Sequence, residues 1–364
     1  MKTPYRHFLT HSPVSFHFTK NSQDFTVEEI PLYEFAGHGE HIIVTVRKKG
    51  VTTWDMIQTF SERTGCKVRD IGYAGLKDKE GMTIQAISLE KKFAPKLEGF
   101  THDAIKILST TLHPNKIKLG HLKGNRFFIR LKKVSPADAA KLHEALKSIA
   151  TYGIPNYFGY QRFGNDGDNA QKGAEILAGT RKERNPKLRK LMINAYQSDL
   201  FNQWLSKRIE FSHLTKDFSP QELAKIYPFP IETYKALKTQ PHFFKLLQGD
   251  VCHHYPHGKP FVIDDVVAEA DRFANRLAVP TGLLFGKKTL RATEQALLFE
   301  SPYDQGDITQ EFGDRRFAWI FPEEITGRYR EEDAWFELSF ILPRGCYATN
   351  LLEEVTNTQL REQF

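Results

Sequence analysis

The sequence of 364 residues is poor in the features that mark several large protein classes. Its three cysteines, Cys66, Cys252 and Cys346, are too few and too far apart for a disulfide framework, and they favour a reducing compartment. No stretch approaches the roughly eighteen consecutive apolar residues of a membrane span, and residues 1–20 lack the apolar run of a signal peptide. We therefore expect a soluble, cytoplasmic protein, and no segment predicts an obligatory protein partner.

Cofactor and metal signatures are also incomplete. Gly37 and Gly39 lack the third glycine and the following helix of a dinucleotide-binding fingerprint. The segment Cys252–His257 crowds one cysteine and three histidines into a run whose spacing fits no usual zinc site. We therefore expect neither a cofactor nor a metal, and the lack of a cofactor loop disfavours a methyltransferase.

The most informative stretch is Gly75–Gln85, which has the pattern G-L-K-D-K-x-G-x-T-x-Q. It predicts a tight turn that presents Asp78 between two lysines, with one strand before it over Asp70–Ala74 and a second strand after it over Met82–Leu89. Thr83 and Gln85 are two residues apart in the second strand, so they share a face that can point toward the same site. A catalytic aspartate facing a polyanion has this form, and so has an ordinary hairpin with a solvated, charged tip.

The sequence is rich in positive charge. Its 51 Lys and Arg against 44 Asp and Glu give a net charge of +7, which suits a polyanionic partner. Residues 115–133 carry seven of these cations and no acid, and residues 181–190 carry six against Glu183. Either cluster alone could be a solvated face, but two of them together with a candidate catalytic acid favour phosphate contacts.

The hydrophobic pattern predicts an α+β fold with two domains, because the chain exceeds the length at which a single core usually stops growing. Alternating apolar residues predict strands within residues 126–134 and 336–342, and helical spacing predicts a helix over 53–64. The pattern of strands and helices changes near residue 155, and the earlier pattern returns near residue 325. We therefore predict one domain from residues 1–154 plus 325–364, and an inserted domain from residues 155–324.

Seven segments are distinctive when they are taken in chain order: Asp24–Glu29, Gly39–His41, Ala74–Gln85, Lys123–Phe127, Pro155–Gly164, Ala195–Asn202 and Leu342–Thr349. Together they resemble the TruD family of tRNA pseudouridine synthases from end to end. The resemblance implies a pseudouridine synthase catalytic domain, with a mixed, mainly antiparallel sheet and flanking helices, and an inserted α+β domain special to this family. It also implies isomerisation of uridine to pseudouridine, which bacterial members perform at position 13 of certain tRNAs.

The resemblance gives roles to particular residues. Asp78 falls on the family's catalytic aspartate, and Lys20 matches a basic position that we expect to pair with it, because an ionised carboxylate in a closed pocket needs a counter-charge. Asn125 and Phe127 would line the pocket of the flipped-out target base, with Phe127 stacking on it. Without the resemblance, the alternation of Phe127 with Ile129 indicates only a core aromatic.

The other candidate substrate contacts are less specific. We expect Lys77 and Lys79 to face the phosphates on either side of the flipped base. Four further residues are candidates for substrate contact or for a structural role: Thr83, Gln85, Gln161 and Arg162. In the structural role, the first two would brace the turn, and the last two would tie the domains together.

Pseudouridine formation breaks the N1–C1′ bond, turns the uracil and joins C5 to C1′. Nothing is oxidised or hydrolysed, so the chemistry needs a carboxylate near the sugar and base rather than a redox cofactor or a metal. Asp78 could attack C1′, add to C6 or take a proton from C2′. The alternative function is a non-catalytic RNA-binding protein or RNA chaperone on the same fold, which would tolerate the loss of Asp78.

Overall fold

The computed structural model describes residues 5–164, 166–306 and 310–360. The described residues form two compact units. The sheet unit comprises residues 13–147 and 322–348, and the helical unit comprises residues 5–12, 148–321 and 349–360.

Strands and helices are interspersed along the whole chain. Those up to residue 152 are β1 (Phe25–Pro31), β2 (His41–Lys49), α1 (Thr53–Thr64), β3 (Gly72–Tyr73), β4 (Met82–Glu90), β5 (Ile105–His113), β6 (Leu122–Lys132) and α2 (Pro136–Tyr152). Those that follow are β7 (Ile154–Pro155), α3 (Asn169–Leu177), α4 (Pro186–Asp217), α5 (Pro220–Leu223), α6 (Ile231–Thr239), β8 (Val251–His254), β9 (Pro260–Val262), α7 (Val266–Ala274), β10 (Ala278–Leu284), α8 (Glu294–Glu300), β11 (Asp314–Phe317), β12 (Trp319–Ile320), β13 (Glu323–Arg330), β14 (Trp335–Pro343) and α9 (Ala348–Thr356).

The sheet unit is built on an eight-stranded sheet with the order β13-β14-β6-β1-β4-β2-β5, in which β3 also pairs with β4. β1 and β4 are parallel, and the other neighbouring strands are antiparallel. This topology confirms the predicted α+β class with a mainly antiparallel sheet. β14 lies between two other strands, and the burial of Phe336, Leu338 and Phe340 accounts for its strongly apolar sequence.

Helix α1 spans the predicted residues because both of its ends are encoded locally. Thr52 caps the first turn by accepting the backbone N–H of Asp55, and the Asp55 side chain accepts the N–H of Thr52 in return. At the other end Gly65 has φ of +75°, a left-handed conformation that glycine adopts without strain. Met56 and Phe60 then pack into a buried apolar cluster with β2.

The helical unit contains the 32-residue helix α4 and a four-stranded sheet with the order β11-β10-β8-β9. Gly282 in β10 lies under Trp204 of α4, where an added Cβ atom would come within 2.4 Å of the indole ring. Arg208 of the same helix is buried and paired with Asp250 at 2.6 Å. Within the described ranges, no helix combines the length and the apolar character that crossing a membrane requires.

Candidate active site

A row of five side chains crosses one face of the large sheet, on five adjacent strands. The strand registers place its members opposite one another in the order Lys48, Thr83, Val27, Phe127 and Phe340. Directly opposed residues project from the same face of a sheet, and all five are buried. The row thus places the predicted site residues Thr83 and Phe127 on a common face, although β4 and β6 are distant in sequence.

A second row lies two residues further along the same strands. Gln85 is opposite Val46 of β2, and Asn125 is opposite both Glu29 of β1 and Leu342 of β14. A two-residue step preserves the face of a strand, so Gln85 and Asn125 share a face with the first row. Four predicted site residues of the sheet unit therefore line one face.

The turn that carries Asp78 connects β3 to β4, and the Asp78 side chain is exposed. β1 and β4 are parallel, with Thr26 opposite Met82, so the end of the turn lies beside the start of β1. Gly81 makes this approach possible. Its φ is +76°, and a Cβ atom there would lie 2.7 Å from the ring of Phe25.

Lys20 lies half-buried in the loop that leads into β1, and Asp24 anchors this loop. The buried Asp24 carboxylate accepts from Asn21 at 2.6 Å and pairs with Lys132 at 2.6 Å. Burial raises the pKa of Asp24, but the hydrogen bonds from Lys132 and Asn21 and the charges of Lys132 and Arg130 together outweigh it and hold this pKa below its usual value. The pairing of Lys20 with Asp78 stays a prediction.

The two lysines beside Asp78 have different surroundings. The ammonium of Lys77 lies 2.8 Å from the Glu29 carboxylate, and both side chains are largely buried. Burial raises the pKa of Glu29, and the Lys77 charge opposes that rise. Lys79, in contrast, is exposed.

Phe127 and Asn125 provide an aromatic ring and an unsatisfied acceptor. The Phe127 ring stacks on Phe340 with 5.4 Å between centroids, and Phe25 lies 6.4 Å away on the first strand. The Asn125 Oδ1 atom is buried without a hydrogen-bond partner in the described part of the chain. Such an atom is costly unless a ligand or water satisfies it.

Gln161 and Arg162 belong to the helical unit, in a short 3₁₀ helix. The Arg162 guanidinium donates to Ser198 Oγ at 3.1 Å and lies 5.5 Å from the centroid of Phe158, whereas Gln161 is exposed. Asn202 of α4 donates to and accepts from the backbone of Phe158. Hydrogen bonds thus join two of the segments that resemble the family, Pro155–Gly164 and Ala195–Asn202.

Sequence reasoning did not single out Lys48 and Glu29. Both are charged residues at positions where the alternation of their strand predicts an apolar, buried side chain. Lys48 continues the series of Val44 and Val46, and Glu29 continues that of Phe25 and Val27 in the same way. A charge in phase with a buried face is the signal that could have identified them.

The basic stretch of residues 115–133 is partly neutralised by acids that are distant from it in sequence. Arg126 pairs with Glu324, Arg130 with Glu337, Lys123 with Glu323 and Lys132 with Asp24. A count along the sequence misses these partners because only the fold brings them close to the stretch. Lys118 and Lys133 of the stretch are exposed.

The chain matches known proteins along nearly its whole length. The family model for tRNA pseudouridine synthase D (TruD) matches residues 5–184. A tRNA pseudouridine synthase D of Nitratiruptor sp. is 56% identical over 97% of this chain and 98% of its own length, and that of Wolinella succinogenes is 49% identical over 98% of each. The crystal structure of a putative tRNA pseudouridine synthase D from Methanosarcina mazei has the same fold, with a TM-score of 0.76, 20% identity and coverage of 99% of this chain and 97% of its own. This chain belongs to the tRNA pseudouridine synthase D family.

Proposed function

We propose that this protein isomerises uridine to pseudouridine in tRNA, with Asp78 as the catalytic carboxylate. The supporting observation is that Thr83, Gln85, Asn125 and Phe127 line one face of the sheet, and the turn with Asp78 leads directly into the first of the two strands that carry them. The names of the relatives point to the same activity.

The target uracil would occupy the side of the sheet that carries Phe127 and Asn125. Phe127 offers a ring for stacking, a contact that every base can make. The half-buried Asn125 would line the pocket beside the base, where its amide offers both a donor and an acceptor to the uracil. A duplex nucleotide must leave its stack to reach these groups, so the base would be flipped out.

Asp78 would act at the sugar or the base from the exposed turn. Its three routes remain attack at C1′, addition to C6 and removal of the C2′ proton. Lys20 would supply the counter-charge that a carboxylate needs once the substrate excludes water. Lys77 and Lys79 would face the flanking phosphates; the exposure of Lys79 supports this role more directly than the ion-paired state of Lys77.

Thr83 and Gln85 would brace the turn from β4, since the Gln85 side chain contacts the turn backbone. Gln161 and Arg162 would contact the RNA backbone from the helical unit, for which the exposure of Gln161 is the support. We further propose that residues 1–154 and 325–364 form the catalytic domain, that residues 155–324 form the family's insert, and that the target is position 13.

Two measurements test this function. Asp78→Asn should abolish conversion of uridine to pseudouridine and keep tRNA affinity, whereas Glu80→Gln, which changes an exposed carboxylate of the same turn, should convert normally. A fully active Asp78→Asn protein would overturn the catalytic assignment. A wild type that binds tRNA without converting it would favour the RNA-binding alternative.

The position is tested separately by mapping pseudouridine in host tRNAs with and without the gene. Loss at position 13 alone is the expected result. An unchanged map would contradict the proposed target, and loss at another site would reassign it.

A further inference from the structure

The side chain of Lys48 is buried beneath the turn that carries Asp78, with 1% of the residue exposed. Its ammonium donates to the carbonyl oxygens of Asp78 at 2.7 Å, Val51 at 2.8 Å and Lys77 at 3.4 Å. An ammonium has three donors, and here three backbone acceptors receive them. Two of those acceptors belong to the turn itself.

This arrangement is not explained by packing. No carboxylate lies within ion-pair distance of the Lys48 ammonium in the described part of the chain, so its charge is buried with carbonyl partners alone. Burial lowers the pKa of Lys48 to about 8, although the nearby Asp78 charge opposes the shift. A methionine of similar length would fill this space without that cost. Packing of the core does not require this charge. The charge therefore indicates that the hydrogen bonds donated by the Lys48 ammonium have a specific role.

A second set of hydrogen bonds holds the same turn from two other elements. Thr53, the first residue of α1, accepts the Lys77 backbone N–H at 2.8 Å and donates to Gln85 Oε1 at 3.0 Å. Gln85 Nε2 in turn donates to the Gly75 carbonyl at 3.4 Å. The turn backbone is thus held from β2, α1 and β4.

We propose that Lys48 is a positioning residue that fixes the peptide groups before and after Asp78 and so sets where the Asp78 carboxylate stands. This inference rests on the catalytic role proposed for Asp78. Displacement of a reacting group by about 1 Å can cost on the order of 100-fold in rate. Loss of the ammonium should therefore slow the chemical step and leave tRNA affinity largely unchanged, because the Lys48 side chain does not reach the protein surface.

The test compares Lys48→Met with Lys49→Met. Both remove one lysine charge from the end of β2, but Lys49 is exposed on the opposite face of the strand. In single-turnover conversion of unmodified tRNA by excess enzyme, Lys48→Met should be slower by about 100-fold with a Kd within about twofold of wild type. Lys49→Met should convert at the wild-type rate.

Hydrogen exchange gives a readout independent of activity. Peptides covering residues 75–81 should exchange faster in Lys48→Met than in Lys49→Met, with the rest of the sheet unit unchanged. A folded Lys48→Met protein with wild-type rate and exchange would overturn the proposal, and so would a rate loss matched by an equal loss of affinity.

Where Lys48→Met does not fold, Lys48→Gln takes its place, because an amide keeps two donors for the turn carbonyls. The conversion rate of Lys48→Gln and the hydrogen exchange of residues 75–81 should lie between the wild-type values and those expected for Lys48→Met. Wild-type values for both would overturn the proposal. Asp78→Asn separates the two hypotheses. If it is inactive while a Lys48 variant is fully active, only the positioning role fails; if it is active, the catalytic role of Asp78 fails first.

Discussion

The Lys77 ammonium lies 2.8 Å from the Glu29 carboxylate in a largely buried pair that joins the turn to strand β1. Removing one member of such a pair leaves an uncompensated buried charge, which costs about 3–5 kcal/mol. Lys77→Met and Glu29→Gln should each lower the free energy of unfolding by several kcal/mol on this scale.

The double variant should recover most of that loss, because neither charge is left alone. Urea unfolding of the full chain, followed by hydrogen exchange of peptides from β1 and β4, measures the local effect. Strictly additive losses in the double variant would show that the two groups do not depend on each other.

Lys79 is the exposed neighbour of Asp78, so its predicted contribution is to RNA affinity. Lys79→Met should weaken tRNA binding and reduce the slope of log affinity against log salt by about 1, since one phosphate contact is lost. Lys91→Met is the matched control, because Lys91 is an exposed lysine just beyond the opposite end of β4. A loss confined to the chemical step would contradict the phosphate role of Lys79.

Phe127 and Phe340 stack on each other, but only Phe127 is predicted to meet the base. Loss of base stacking costs about 1–3 kcal/mol, so Phe127→Leu should lower kcat/KM by about 5- to 150-fold. Phe340→Leu should mainly reduce stability, because Phe340 is fully buried. Both variants are assayed at a temperature where each is folded, and equal losses of kcat/KM would argue against a stacking role for Phe127.

The elements that sequence alone defined well are those whose signals are local. The bounds of α1 follow from Thr52 and Gly65, and the second strand of the turn starts at Met82 as predicted. The segment before the turn was predicted less well. Asp70 lies in a 3₁₀ turn, and β3 is limited to Gly72 and Tyr73, because only these two residues find a partner in β4.

The parts of the candidate site that sequence missed depend on strand order. Nothing along the chain shows that Glu29 will meet Lys77, or that Glu324 will meet Arg126. These pairs form only after β1 lies between β4 and β6, and after β13 and β14 complete the sheet edge next to β6. Charge counts taken within a segment therefore overstate how much of its charge is free for RNA.

Glu354 gives the helical unit a pH dependence of unusual sign. The carboxyl group in α9 is fully buried and accepts the backbone N–H groups of Phe8 at 3.0 Å and Leu9 at 3.2 Å. Burial raises the pKa of Glu354 to about 8, against an ordinary value of 4.5, and the two N–H groups offset only part of the shift. The folded protein therefore keeps a proton that the unfolded chain releases between these two values.

Because the folded state binds more protons in this window, the free energy of unfolding should fall as the pH rises from 4.5 to 8 and then level off. The two pKa values differ by about 3.5, so the full effect is on the order of 5 kcal/mol at about 1.36 kcal/mol for each pKa unit. Glu354→Gln keeps a neutral acceptor for the N–H groups of Phe8 and Leu9 but cannot ionise. Urea unfolding of both proteins at pH 5, 6, 7 and 8 should show the wild type losing stability relative to Glu354→Gln with each step, because only its carboxyl group must give up a proton in a buried site. Parallel stability curves would mean that Glu354 titrates at an ordinary pKa in the folded protein.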